Sequence, residues 1–228
     1  MHLNMTIRGV RFSLFPLVML YTVLFYIAIA VAVLAVVVLA WLWYMGMFSR
    51  IHVSLREVPE MTIINMNYTG NYQDCCKGFT DMEQKTKDLL GELGDIPVMG
   101  SAYYTSPNEV ADPKDNRWSC FFVLNDVPEL LAKAKALPKS TEYTVITLPK
   151  SRAISGTFAY RNSLSFMFGP MKVYPAITKF SNETLIKPVG CIELYHSNKQ
   201  PIDYLMYIEN EKVFEEMKKT TFVAADRL

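Results

Sequence analysis

The hydrophobic and polar positions of the chain fall into two unlike patterns. From Leu17 to Met45, 28 of 29 residues are apolar, with Thr22 the exception. As one helix this run is roughly 44 Å long against a hydrocarbon core of about 30 Å, so tilt or interfacial ends must absorb the excess. Tyr21 and Tyr26 near one end and Trp41, Trp43 and Tyr44 near the other suit the two membrane–water interfaces. The rival reading is a cleavable signal peptide, with Arg8 and Arg11 as its basic region and Ala30-Val31-Ala32 as a cleavage site. The apolar run continues well past that site, beyond the roughly 7–15 residues of a secretory core. Residues 1–16 are therefore read as a short N-terminal segment and 17–45 as an uncleaved transmembrane helix.

Beyond Arg50 the pattern becomes periodic. Ile51 to Arg56 alternates apolar and polar, a short strand ahead of Pro59, and Met61 to Tyr68 is a second strand ended at Thr69-Gly70. Phe79, Met82, Thr86, Leu89, Leu90 and Leu93 then line one face of a helix, stopped by Gly94. Ile96–Tyr104 and Trp118–Leu124 read as paired strands joined by the turn-rich Ser106–Asn116 loop. Asn125-Asp126 caps a short helix with Pro128 in its first turn. The order then replays: strands at Tyr143–Leu148 and Arg152–Tyr160, a helix over Ser163–Phe180, and strands at Gly190–His196 and Tyr204–Ile208. Gly169-Pro170 predicts a kink or restart in that second helix. Strand–helix–strand–strand thus occurs twice at a spacing of about 90 residues. The expected fold is α+β, with one N-terminal transmembrane helix followed over 51–228 by a duplicated β-α-β-β antiparallel-sheet domain, its helices on one face.

Charge sharpens this division. No Asp, Glu, Lys or Arg occurs in the 38 residues from Phe12 to Ser49, while residues 50–228 hold 21 basic and 22 acidic side chains. A near-neutral domain argues against nucleic acid as a partner. Arg8 and Arg11 on one side of the helix balance Arg50 and Arg56 on the other, which leaves orientation open. Asn4-Met5-Thr6, Asn67-Tyr68-Thr69 and Asn182-Glu183-Thr184 match the glycosylation pattern, but Asn67 falls within an expected strand, where a glycan fits badly. Cys75 and Cys76 are adjacent and ill suited to pair with each other, and Cys120 and Cys191 read as small buried hydrophobes.

Alternation in Cys191–His196 puts Cys191, Glu193 and Tyr195 on one face and Ile192, Leu194 and His196 on the other. The aliphatic pair is expected beneath the helices, with Glu193 on the uncovered face among aromatic groups. Tyr103 or Tyr104, Trp118 or Phe121, Tyr160, and Tyr204 or Tyr207 are the candidates; Tyr195, Tyr103, Trp118 and Tyr160 are taken with Glu193 as the ligand-binding set. A carboxylate in an aromatic concavity can hold a small hydrophobic or cationic ligand. The plainer reading is a strand glutamate bonded to backbone or water. Glu193 and His196 are three apart on a strand and face opposite sides, so no metal site is expected. No phosphate loop, nucleophile elbow or C-x-x-C motif occurs, no cofactor or catalytic residue is assigned, and hydrolysis assisted by Glu193 is the weaker alternative to binding.

Met61-Thr62-Ile63-Ile64 leading to Tyr68-Thr69-Gly70-Asn71-Tyr72, Gly190–Tyr195, and Pro201 before Tyr204–Ile208 together resemble the GyrI-like, or bacterial effector-binding, superfamily. That resemblance implies a small-molecule-binding domain whose ligand-facing glutamate is Glu193. With its single N-terminal helix the chain is similar to the membrane-anchored members that act as ER-phagy receptors. Ala102-Tyr103-Tyr104 with Pro107-Asn108 and Pro113, Ala159-Tyr160, Val173-Tyr174-Pro175-Ala176 and Glu216-Met217-Lys218-Lys219 carry this second likeness. It implies a cytosolic domain on the endoplasmic reticulum membrane, acting as an adaptor in ER turnover with LC3-family or other autophagy proteins as partners. Those receptors use an acidic tail ending in an LC3-interacting motif, and no such tail is expected here. Phe214-Glu215-Glu216-Met217 has the motif's outline, against a reading in which Phe214 and Met217 cap the domain.

Overall fold

The computed structural model describes all residues except 1–3, 8, 9, 14, 95, 106–109 and 198–199, with side chains from residue 18 onward. Arg8, the side chains of Asn4 and Arg11, the Pro107-Asn108 turn and Asn198-Lys199 lie outside the described residues. The chain divides into two compact units, 1–49 and 50–228.

In the first unit, strands β1 (Asn4–Ile7) and β2 (Val10–Ser13) form an antiparallel hairpin ahead of helix α1 (Phe15–Tyr44). From Val18 to Tyr44 this helix is long and apolar enough to cross a bilayer, and no part of its most apolar stretch is buried. Thr22, the one polar residue of the run, donates its hydroxyl to the Val18 carbonyl at 2.9 Å, so it brings no unsatisfied group.

The second unit runs β3 (Val53–Val58), β4 (Met61–Thr69), α2 (Cys75–Leu90), β5 (Val98–Tyr103), β6 (Arg117–Val123), α3 (Pro128–Ala136), β7 (Thr144–Leu148), β8 (Ser151–Phe158), α4 (Ser165–Thr184), β9 (Gly190–His196), β10 (Ile202–Tyr207), α5 (Glu211–Met217) and β11 (Phe222–Ala224). Its strands form a single sheet in the order β11-β4-β6-β5-β9-β10-β8-β3, with β7 also paired to β4. Pairing is antiparallel except between β11 and β4. The duplicated pattern is plain in this order: β4-α2-β5-β6 and β8-α4-β9-β10 meet at the β5–β9 pairing as two like halves. The strands leading into each half are exchanged. β3 precedes β4 but pairs with β8, while β7 precedes β8 but pairs with β4.

Both faces of the sheet are covered. Ile64, Met66 and Tyr68 of β4 and Trp118, Cys120 and Phe122 of β6 pack with Met82 and Leu90 of α2. Gly156 of β8 lies beneath α4, where an added Cβ would stand 2.7 Å from Val173 Cγ1. Helices α2 and α4 therefore share one face, as the pattern predicts. The other face, with Ile63, Phe121, Ile192, Leu194 and Leu205, is closed by Phe214 and Met217 of α5. Cover on both sides is why β4 is buried along nearly its whole length.

Buried Asn67 ties this closing segment down. Its amide donates to the Met217 carbonyl at 2.8 Å and to Thr220 Oγ1 at 2.7 Å, and its carbonyl accepts from Tyr104 Oη at 3.1 Å. A glycan at this amide is incompatible with the fold. The expected restart at Gly169-Pro170 does not occur; α4 is one helix containing both Pro170 and Pro175. Each proline removes one helical donor, and Gly169 admits the Tyr204 hydroxyl where any Cβ would collide with it.

Candidate functional site

The β5–β9 seam is the natural place for a site, because there the strands belong to different halves. Register puts Ser101 opposite Glu193 and Tyr103 opposite Cys191, and on the other side of β9 puts Tyr204 opposite Glu193. Directly paired residues point the same way, so all of these lie on the face that α2 and α4 cover. The expectation of an uncovered face for Glu193 is thus corrected. Ile192 and Leu194 point to α5 instead, since that face too has an apolar cover, and alternation alone does not rank two covered faces.

Glu193 is only 3% exposed. It accepts a hydrogen bond from Tyr195 Oη at 2.7 Å and a second, short one from Tyr174 Oη on α4. Burial pushes its carboxyl up to about 7 from an ordinary value of 4.5, with both tyrosine bonds pulling the other way. Among the described residues no basic side chain lies within ion-pairing distance of it. Burial also raises the hydroxyls of Tyr103, Tyr174 and Tyr195, which keeps them as donors, and pushes the Cys191 thiol up to about 12. Cys191 Sγ lies 3.4 Å from Tyr174 Oη. On the far side of the seam, Cys75 Sγ lies 3.5 Å from Ser101 Oγ.

A cavity of about 1210 Å³ opens between α4, the Tyr72 turn and the seam. Its rim includes the exposed residues Pro175, Thr178 and Asn182, and it reaches down to Cys191, Glu193 and Met206. Tyr72, Tyr103, Phe166 and Tyr174 provide aromatic wall. This volume exceeds the roughly 300–1,000 Å³ usual for small-molecule sites. Tyr72 is held by its hydroxyl on the Thr105 carbonyl at 2.5 Å and meets Tyr103 edge-on, with ring centroids 5.2 Å apart.

Of the residues singled out from sequence, Glu193, Tyr195 and Tyr103 come together here, with Tyr103 and Tyr195 hydroxyls 3.4 Å apart. Trp118 shares their face but is fully buried behind Tyr72, at a centroid distance of 5.7 Å, so it supports the wall without reaching the cavity. Tyr160 stands one ring further out, stacked at a tilt on Phe166, which in turn meets Tyr195 edge-on. His196 points away from α2 and α4 and lies 3.3 Å from Asp203, which also accepts from Arg56 at 3.1 Å. Phe214 is 2% and Met217 0% exposed, so neither side chain can enter a partner's groove while the domain is folded. The LC3-interacting reading of that segment is corrected to the domain-capping one.

Sequence reasoning placed neither Tyr174 nor Cys191 in the site. Tyr174 comes from a helix whose apolar period is interrupted by two prolines, and only the resemblance touched it. Cys191 shares the Glu193 alternation and could have been found by it.

The fold and site define a doubled β-α-β-β domain enclosing a tyrosine-lined cavity over a buried carboxyl. No family model matches the chain, and no curated protein matches it. Among solved structures it is similar to EcmrR in a DNA complex, at 12% identity and a TM-score of 0.49, over 83% of this chain and 70% of that one. The EcmrR C-terminal domain aligns at the same identity and score over 70% of this chain and 98% of its own. A hydrolase from Listeria innocua aligns at 11% identity and a TM-score of 0.40, over 69% and 92%. At such values these likenesses assign neither family nor activity, and the functional reading has to come from the site itself.

Proposed function

We propose that residues 50–228 are a GyrI-like small-molecule-binding domain tethered to a membrane by α1, and that its ligand is a lipophilic cation held by Glu193. One observation carries this reading: a carboxyl at the floor of a large aromatic cavity is bonded by tyrosine hydroxyls and has no cationic partner among the described residues. An ionised carboxylate in such a place is costly. A cation entering beside it offsets that cost, and the tyrosine and phenylalanine faces add cation–π attraction. Tyr174 and Tyr195 hold the carboxylate's oxygens in place, so little ordering is left for the ligand to pay for.

The test is calorimetric titration of the full chain, in detergent, with tetraphenylphosphonium and with neutral triphenylphosphine oxide. The cation is expected to bind and the neutral analogue to bind more weakly. Glu193→Gln keeps the shape and should weaken the cation at least about tenfold. Equal binding of both probes by wild type and variant would sink the proposal.

The resemblance to anchored ER-phagy receptors supports a finer reading, with α1 in the endoplasmic reticulum membrane and the domain in the cytosol. Because Phe214 and Met217 are buried, contact with LC3-family proteins in that reading must run through another segment or a bridging protein.

A further inference from the structure

Helix α4 is apolar on its buried face and, over its N-terminal half, on its outer face as well. Val173 and Ile177 are buried against the sheet. On a surface helix the opposite side should be polar, yet here it carries Leu164, Met167, Met171 and Pro175, all exposed, and turns polar only at Thr178 and Asn182. Met167 is 50% and Met171 60% exposed, and at the helix's end Leu185 is 85% exposed. In a helix of 3.6 residues per turn, Leu164, Met167 and Met171 fall within about 60° of one another. Lys172 and Lys179 lie along one flank of this stripe, about 80–100° round the helix. Lys179 also makes an exposed, long ion pair with Glu183 at 3.8 Å.

Charge along the sequence agrees. From Tyr143 to Asn182 there is no Asp or Glu, while Lys150, Arg152, Arg161, Lys172 and Lys179 fall in the same stretch. The rest of the domain holds 16 basic against 22 acidic side chains, so this acid-free stretch stands out against it. Lys150 and Arg152 are paired with Glu57 and Glu209, which leaves Lys172 and Lys179 as the cations beside the stripe. An exposed apolar stripe flanked by lysines is what lies in the interface of an anionic bilayer, with side chains among the upper acyl groups and ammonium groups at the phosphates. A bilayer is also within reach: eight residues, 45–52, separate the end of α1 from β3, a contour of at most about 30 Å.

We propose that the outer face of α4 is a bilayer-docking surface, seating Leu164, Met167 and Met171 in the membrane while Lys172 and Lys179 face acidic headgroups. The proposal rests on the anchored reading only for the nearness of the bilayer. Pro175, Thr178 and Lys179 also border the cavity mouth, so the docked residues Leu164, Met167 and Met171 lie at the other end of the same helix face.

The test uses the full chain reconstituted in vesicles, with Cys76→Ser to remove the exposed native thiol and Met171→Cys carrying an environment-sensitive fluorophore. Vesicles are phosphatidylcholine alone, or equal parts phosphatidylcholine and phosphatidylserine. Flotation with the vesicles reports the α1 anchor separately. Expected is a blue-shifted emission, quenched by nitroxide lipids, in the anionic vesicles. The same label at Glu129→Cys on α3 should stay water-exposed and unquenched. Lys172→Ala is expected to lower the docked population roughly fivefold, and Met167→Asp to abolish quenching. A Met171 label that stays unquenched in anionic vesicles overturns the proposal. So does a spectral change that follows protein density and not lipid charge, which would make the face a contact between copies of this chain.

Discussion

At the scale of single residues, Glu193 sets two opposed pH dependences. Its folded-state carboxyl is raised to about 7, so the native protein holds a proton that the unfolded chain releases near 4.5. The stability this contributes is complete below about 4.5 and lost as pH rises through about 7, an effect on the order of 3 kcal/mol. Glu193→Gln removes the ionisation, so its melting temperature should exceed that of wild type at pH 8 and approach it at pH 5. Melting curves of the full chain at the two pH values check this. Binding of a lipophilic cation should run the other way, strengthening as pH rises through about 7 and the carboxylate forms. A stabilised variant that cannot bind would show a cost in stability retained for function. Alternation in the sequence correctly put Glu193, Tyr195 and Cys191 on one side of their strand. It could not say which side the helices α2 and α4 take, because Ile192 and Leu194 find an equally apolar cover under α5. The bond from Tyr174 was out of reach for another reason: it joins a helix to a strand, and neither sequence period records where a helix comes to rest.

At the scale of elements, α5 decides what the Phe214–Met217 segment does. Phe214 packs edge-on against Tyr207, at a centroid distance of 5.3 Å, and fills the space above Gly190, where any Cβ would strike its ring. Phe214→Ala should destabilise the domain by about 3–5 kcal/mol, measured by denaturant unfolding. A recognition motif displayed on the surface would leave stability within about 0.5 kcal/mol, so an unchanged midpoint would restore the displayed-motif reading. The long elements were legible: β4, α2, β8 and β9 lie within a few residues of their sequence positions. The terminal α5 and β11 were not. With seven and three residues they are too short for a period to show, and their places are fixed by the distant Asn67 and Gly190. Helix α4 was legible as a helix, but its continuity through Pro170 was not. Packing on Gly156 and Tyr204 outweighs the loss of two backbone donors.

At the scale of the whole molecule, the split between an apolar helix and a periodic domain was legible at once, and the doubling of the domain nearly so. Orientation was not, since Arg8 and Arg11 balance Arg50 and Arg56. Protease treatment of intact microsomes decides it: the cytosolic reading expects residues 50–228 to be digested from outside, and a protected domain refutes that placement. The exchange of leading strands, invisible to any count of periods, bears on how the protein would respond to mechanical load if α1 is held in a membrane, as proposed. Tension along the chain from α1 does not enter the first half, which follows it in sequence. It arrives at β3, and through six paired residues passes to β8 of the second half. That strand bears Gly156, on which the cavity's α4 wall rests. Under the proposed anchoring, a pull on α1 would reach, through β3 and β8, the half that holds Tyr174 over Glu193 before the half that follows β3 in sequence.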